Sequence, residues 1–238
     1  MPLFRKFWAA YAVILFLLLM TLSLPIIGLN MIFTSGNQAL RRNIFYLHHI
    51  FSPVFFTLIG VFIRVEGKEH LDRGQSYVIV GNHRSALDFI ADALAFPGVF
   101  RFLAKQELLK IPVFGWIVGK MCLIVDRRSA MSRTRSVVAL KQQLAAGWSI
   151  FIFPEGSRNQ TTSPLAPFYD GAFRIAIQTG SPVAILTLPN VHRLCQGYNL
   201  QPGILRMVWD KPIPTIGLSS TDIPVLKNQV EQAMLQHF

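Results

Sequence analysis

The sequence predicts an α/β domain, with a largely parallel sheet flanked by helices, preceded by an amino-terminal membrane-embedded helical segment. Three observations carry that prediction. Residues 7–29 are almost wholly apolar, and no charged residue occurs between Phe7 and Leu40, which is long enough for a helix that crosses a bilayer. Beyond Ile63, short apolar runs alternate with helical stretches, the pattern of βα units. Several of those runs end at a glycine or proline and pass at once into polar side chains. Strand exits of that kind are where an open α/β sheet holds its ligands.

The 238 residues are 52% apolar, enough for one such domain over residues 64–238 and an anchor of helices over residues 1–63. A cleaved signal peptide fits poorly, because the apolar run is too long and Ser23-Leu24-Pro25 is a weak cleavage site. A retained helix is expected, bent by Pro25 at its far end. The second uncharged run, residues 43–63, is interrupted by His48-His49 and Ser52-Pro53. A re-entrant or interface-lying helix therefore competes with a true span. Arg5-Lys6, Arg41-Arg42 and Arg64 bracket the two runs. If the chain returns to its starting side, its amino terminus and its domain share the positively flanked, cytosolic face. The expected location is a membrane, in a bacterium the inner one.

The two cysteines, Cys122 and Cys195, lie far apart with no metal-ligand spacing, which suits a reducing compartment better than a disulfide framework. The formal net charge is +11, and the segment from Arg101 to Lys141 holds nine basic residues against Glu107 and Asp126. Nucleic acid is one partner such a balance suits. Behind a membrane anchor, anionic lipid headgroups and phosphorylated substrates fit better, and no nucleic-acid partner is expected.

In chain order, residues 63–66 read as a short strand and 77–80 as a buried one, followed by a helix over 86–94. Residues 102–104 form the next strand, with Lys105 at its exit. The apolar stretch 106–118 is broken by Pro112 and Gly115, and 121–125 is a continuous apolar run ending in Asp126-Arg127-Arg128. Residues 132–146 are helical, with Val137, Leu140 and Leu144 on one face and Gly147 as the stop. Strand 149–153 follows, then helix 171–179, strand 183–188, strand 204–209 and a polar helix over 222–237.

The stretch of residues 78–88 organises the rest. Its apolar run closes in Gly81-Asn82 and delivers His83 at a strand exit, with Asp88 five residues later. Five is not a same-face helical spacing. The two meet only if His83 lies in the turn and Asp88 in the helix's first turn, with Ser85 as the N-cap. The result is an imidazole oriented by a carboxylate, which is how a general base is built. Alone, the pair is equally a capped helix beside an ordinary histidine. Two further exits carry polar groups: Asp126-Arg127, and Glu155-Gly156-Ser157-Arg158. Arginine grips phosphate in a fork, so Arg158 and Arg127 are candidate anchors. Arg127 reads equally as a solvated charge, Lys105 as a snorkelling interface lysine, and Glu155 as the partner of a neighbouring arginine.

Taken together the blocks are specific. Residues 82–88, Asn-His-Arg-Ser-Ala-Leu-Asp, resemble the first block of the glycerolipid acyltransferases, the family of the 1-acylglycerol-3-phosphate acyltransferases. Lys105, Glu107-Leu108, Ile111-Pro112 and Phe114-Gly115-Trp116 are similar to the stretch that follows it there. Ile124-Val125-Asp126-Arg127 resembles the second block, and Phe153-Pro154-Glu155-Gly156-Ser157-Arg158 the third, with serine where threonine is commoner. Leu165, Phe168, Gly171-Ala172-Phe173 and Pro182-Val183 continue the pattern. Two departures stand out: no second proline follows Pro182 closely, and Tyr169 occupies a position where lysine is frequent.

The resemblance implies that His83, oriented by Asp88, takes the proton from the acceptor's free hydroxyl. That oxygen then attacks the thioester of acyl-CoA or acyl-carrier protein directly. It implies Arg158, with Lys105 and Arg127, as holders of the acceptor's phosphate, and Glu155, Gly156 and Ser157 as walls of the glycerol pocket. It implies lysophosphatidic acid as acceptor, a phospholipid membrane as setting, and neither metal nor bound cofactor. Another lysolipid or glycerol 3-phosphate is the nearest rival acceptor. A membrane hydrolase needs a nucleophile or metal set that the sequence does not supply. A non-enzymatic membrane-surface protein accounts for charge and anchor but not for three polar strand exits. Asn159-Gln160-Thr161 is formally a glycosylation sequon, read as chance.

Overall fold

The computed structural model describes residues 2–34, 36–111, 114–125 and 130–238. The chain opens with α1 (Pro2–Phe33), α2 (Gly36–Tyr46), a π-helical turn (Leu47–Phe51) and α3 (Ser52–Leu58). The α/β part follows as β1 (Val61–Glu66), β2 (Val78–Gly81), α4 (Asp88–Ala95), β3 (Phe100–Lys105), α5 (Phe114–Met121), β4 (Leu123–Val125), α6 (Ala130–Ala145) and β5 (Ser149–Ile152). It continues through α7 (Gly171–Thr179), β6 (Val183–Thr187), α8 (Val191–Leu194), the short hairpin β7 (Cys195–Gln196) and β8 (Asn199–Leu200), β9 (Gly203–Trp209) and α9 (Ile223–Leu235).

Seven strands form one sheet in the order β1-β9-β6-β2-β5-β3-β4. β6, β2, β5, β3 and β4 are mutually parallel, so their carboxyl ends share one edge. β9 runs antiparallel to β6 and carries β1 parallel to itself. The expected largely parallel sheet is present, with this reversed pair at one side.

The central strands β2, β5 and β6 are buried at every position, and nearly all of their residues are apolar, because helices cover both faces. Ile79, Phe151, Ala184 and Leu186 join the cluster under α1–α5, whereas Val78, Val80, Ile150, Ile152, Val183 and Ile185 join the one under α6, α7 and α9. Gly147, with φ of 78° and its N–H on the Leu144 carbonyl, stops α6 as expected.

α1 is long and apolar enough to cross a membrane, by length and composition. One face of it lies on the rest of the chain. Trp8 donates its indole N–H to the Ile59 carbonyl at 3.0 Å, and Asn30 bonds Asn43 at 2.8 Å. Ala12, Met20 and Ile27 belong to the same cluster as Leu186 and Trp209 in the sheet. Its other face exposes Phe7, Ile14, Leu18 and Ile32. The second uncharged run is interrupted where expected: a π turn spans His48-His49, and a short α3 begins at Ser52-Pro53. Its inner residues, Ile44, Phe51, Phe55 and Phe56, are buried in the core.

Several boundaries differ from the sequence expectation. The run 121–125 is not all strand, because Met121 closes α5 and β4 starts at Leu123. Leu123 and Ile124 are only half-buried, since β4 is the sheet's edge. α4 starts at Asp88 rather than Ala86, after a turn at Ala86-Leu87. Pro112 and the Asp126-Arg127 exit lie outside the described residues.

Candidate active site

β2 ends at Gly81, where a side chain would press into the ring of Phe151, 2.6 Å from Cζ. Glycine leaves room there for the Phe151 ring. Asn82 then ties the β2 exit to the β6 exit. Its Oδ1 accepts the Leu188 N–H at 2.7 Å, and its Nδ2 donates to the Leu188 carbonyl at 3.2 Å. This reciprocal pair lets a side chain behave as one more strand residue and fixes where the next residue, His83, leaves the sheet.

His83 Nδ1 lies 2.9 Å from Asp88 Oδ2. The same oxygen accepts the backbone N–H groups of Arg84, at 2.7 Å, and Ser85, at 2.8 Å. Asp88 is fully buried, and its carboxylate gathers the whole turn onto one atom. The expected meeting of the two side chains is present, but Ser85 is not the N-cap. Leu87 holds that position, and Ser85 Oγ accepts the Leu87 N–H at 3.1 Å. With Nδ1–H given to the carboxylate, the lone pair of Nε2 points away from Asp88. The imidazole lies against Phe153, with ring centroids 4.0 Å apart and planes 17° from parallel. It retains 19% of its side-chain surface, so it is held but open to a reactant.

The β5 exit wraps around this histidine. Gly156, at φ of 71°, closes a turn with its N–H on the Phe153 carbonyl, a conformation glycine adopts without strain. Glu155 is buried, and its oxygens accept the N–H of His83, at 2.6 Å, and of Ala166, at 2.8 Å. It therefore holds backbone rather than pairing with an arginine. Burial pushes its carboxyl up, and the two N–H donors oppose that shift. The Asn159 N–H returns to the His83 carbonyl at 2.6 Å, locking the two exits together.

Arg158 and Ser157 stand exposed at the end of the same turn. Burial pushes the Cys195 thiol up; a hydrogen bond from Ser85 and the charge of Arg158 oppose the shift. Burial lowers His192 on α8, with the charges of Arg84 and Arg193 adding to the effect. Lys105 ends β3 on the same edge; its side chain and the whole of Arg127 lie outside what is described. Among the described residues, no group of three or more His, Cys, Asp or Glu is arranged to hold a metal ion.

Sequence reading did not single out Asn82, Phe153 or Arg84 for their roles here. Arg84 donates from Nη1 to the Ser163 and Pro164 carbonyls and from Nη2 to that of Thr161, pinning the loop after Arg158. Asn82 and Arg84 flank the histidine, and that adjacency was the available signal. Asn159 is buried, and its amide is taken up by Ser163 and Thr161. This fits the reading of its sequon as chance.

An apolar cavity opens behind the histidine, between α1, the π turn, α4 and α5. Phe16, Met20, Phe51, Phe89, Phe102 and Ile117 are among its lining residues. A row of rings connects it to the site: Phe153 faces Phe102 at 6.3 Å, and Phe102 stacks on Phe89 at 4.1 Å.

Residues 62–188 match the family described as Acyltransferase. The human 1-acyl-sn-glycerol-3-phosphate acyltransferase alpha is 31% identical over 191 residues, covering 76% of this chain and 65% of that protein. A 1-acyl-sn-glycerol-3-phosphate acyltransferase of Borreliella burgdorferi is 35% identical over 136 residues, 57% of this chain and 54% of that one. The chain thus spans less than two thirds of the length of these relatives. In fold, it superposes on the crystal structure of the 1-acyl-sn-glycerophosphate (LPA) acyltransferase PlsC from Thermotoga maritima. The TM-score is 0.80, covering 99% of this chain and 94% of that one, at 21% identity. The match, which takes in His83, Asp88 and the turn from Phe153 to Arg158, establishes that the chain belongs to the acyltransferase family.

Proposed function

We propose that the chain transfers a fatty acyl group from acyl-CoA or acyl-carrier protein to the free hydroxyl of lysophosphatidic acid, giving phosphatidic acid. The observation that carries this reading is the His83–Asp88 pair at the β2 exit, 2.9 Å apart, with the imidazole still 19% exposed. The names of the relatives support lysophosphatidic acid as the acceptor.

The chemistry follows from the geometry. Nε2 takes the proton of the acceptor's hydroxyl as its oxygen adds to the thioester carbonyl. Asp88 stabilises the imidazolium that forms. The tetrahedral adduct collapses with cleavage of the C–S bond, and the imidazolium returns its proton to the departing sulfur. Alcohol and thioester become ester and thiol, with no acyl-enzyme, metal or bound cofactor required. Arg158 is the proposed phosphate anchor, with Lys105 and Arg127 as further candidates; Gly156 and Ser157 border the glycerol. The cavity behind Phe153 is suited to an acyl chain. The exposed apolar faces of α1 and of Phe45, Ile50, Val54 and Leu58 suit contact with lipid. In this reading the domain works at a membrane from the cytosolic side, in a bacterium the inner membrane.

The test is transfer from labelled acyl-CoA, and from acyl-carrier protein, to a panel of lysophosphatidic acid, other lysophospholipids and glycerol 3-phosphate. Preferred turnover of lysophosphatidic acid is expected. Preference for a lysolipid without a terminal phosphate, or for glycerol 3-phosphate, overturns the acceptor assignment.

A further inference from the structure

Asp92 lies one helical turn beyond Asp88 on α4, and neither residue has measurable exposure. The four-residue spacing puts both carboxyl groups on one face of the helix. All three hydrogen bonds to Asp88 converge on Oδ2. Its Oδ1, and both oxygens of Asp92, are buried without a hydrogen-bond donor among the described residues. A buried carboxyl in that condition is costly. The neighbours of Asp92 on α4, Ala91, Ala93 and Ala95, are apolar and equally buried, so packing alone does not call for an acid.

The proton balance gives the acid a use. Burial, and after it the charge on Asp88, push the Asp92 carboxyl well above the ordinary range. Two adjoining carboxyls do not readily ionise together. One proton shared by the pair belongs on Asp92, because Oδ2 of Asp88 already receives three donors and Asp92 receives none. A protonated carboxyl is a donor, and Asp88 Oδ1 is the acceptor left over. Titratable groups near Asp88 are His83 and Glu155 at the strand exits and Cys195 beside Ser85, and the π turn packed against α4 carries His48 and His49.

We propose that Asp92 is a positioning residue: its carboxyl O–H donates to Oδ1 of Asp88 and holds that carboxylate in the orientation that presents Oδ2 to His83. Asp92 does not touch the reactants; it acts through Asp88. The proposal rests on the reading of His83 as the base.

The test uses the full chain in mixed micelles and compares Asp92→Asn with Asp92→Leu. Asparagine keeps a neutral N–H donor of the same size, whereas leucine fills the volume without one. The expected result for leucine is a fall in kcat of about tenfold to a hundredfold, with KM for both substrates within about twofold. Asparagine is expected to recover most of that loss. Wild-type kcat in a folded leucine variant overturns the proposal, as does asparagine equally impaired, or a loss carried by KM. Should the leucine variant fail to fold, asparagine alone decides: a tenfold loss there contradicts the proposed donor. His83→Ala, run beside them, separates the two readings. Turnover that survives it defeats the base assignment itself. Turnover lost in His83→Ala but intact in Asp92→Leu defeats only the role of Asp92.

Discussion

Three donors on one buried oxygen make Asp88 the residue on which the catalytic turn depends. Asp88→Asn puts an amide where the Arg84 and Ser85 N–H groups and the imidazole now find a carboxylate. We expect kcat to drop by about 10²–10⁴ in steady-state assays, the usual scale of general-base contributions. Glu155 makes a different case. Glu155→Gln leaves one backbone N–H, of His83 or of Ala166, facing an amide NH₂. An unpaired buried donor costs about 1–3 kcal/mol, so both the thermal midpoint and kcat fall together. A variant with reduced kcat and an unchanged midpoint would contradict this bracing role.

Asp92 adds a pH dependence whose sign is fixed. Above the ordinary aspartate value of 3.8, the unfolded chain has released the proton that the folded chain still holds. Through this group, rising pH costs the fold stability until the raised folded-state value is passed, by up to about 1.4 kcal/mol per pH unit. Asp92→Asn removes that slope, so its stability advantage over wild type widens with pH above 3.8. Urea unfolding across a pH series measures it. Glu155, raised in the same direction, and His48, lowered by burial to about 3 and so opposite in sign, act alike in both proteins and cancel in the comparison.

Among the elements, the parallel strands were the most legible. β2, β5 and β6 are buried on both faces, so their apolar runs stand out from the helices between them. α7 lies where its periodicity put it, from Gly171 to Thr179. The β7–β8 hairpin and α8 left no comparable signal, since two-residue strands and a single helical turn are too short to impose a period. β9 was legible as a strand at 204–209, but its antiparallel direction was not, because pairing with β6 is a long-range contact. The His83–Asp88 pair was legible because both groups belong to one local turn. The bracing by Glu155 was not, because it joins residues 72 positions apart. At this scale Gly81→Ala is the sharp test. The added methyl meets the buried Phe151 ring, and overpacking of this kind costs about 1–3 kcal/mol. The expected lower midpoint comes with slower turnover, because the displaced strand carries His83.

For the whole molecule, the helices before β1 and the α/β part share one core. Arg41 reaches from α2 to the Ala146 and Gly147 carbonyls at the end of α6 and lies 4.3 Å from the Trp148 ring centre. The same helices wall the apolar cavity, so the surface suited to lipid and the space suited to an acyl chain are built from one set of residues. The apolar α1 was legible as a membrane segment, but the cavity was not, because it exists only where distant segments pack. Ala93 lines that cavity, and Ala93→Leu is expected to shift donor preference towards shorter acyl chains. Competition between acyl-CoAs of different length measures it; an unchanged preference argues against the cavity as the chain's site.

The proposed chemistry turns on His83 as the base. It is tested most directly by single-turnover acyl transfer to lysophosphatidic acid with His83→Ala beside wild type, in micelles saturated with both substrates. The expected rate is lower by about 10²–10⁴, with substrate binding and the thermal midpoint close to wild type. A folded His83→Ala protein that transfers the acyl group at the wild-type rate would contradict it.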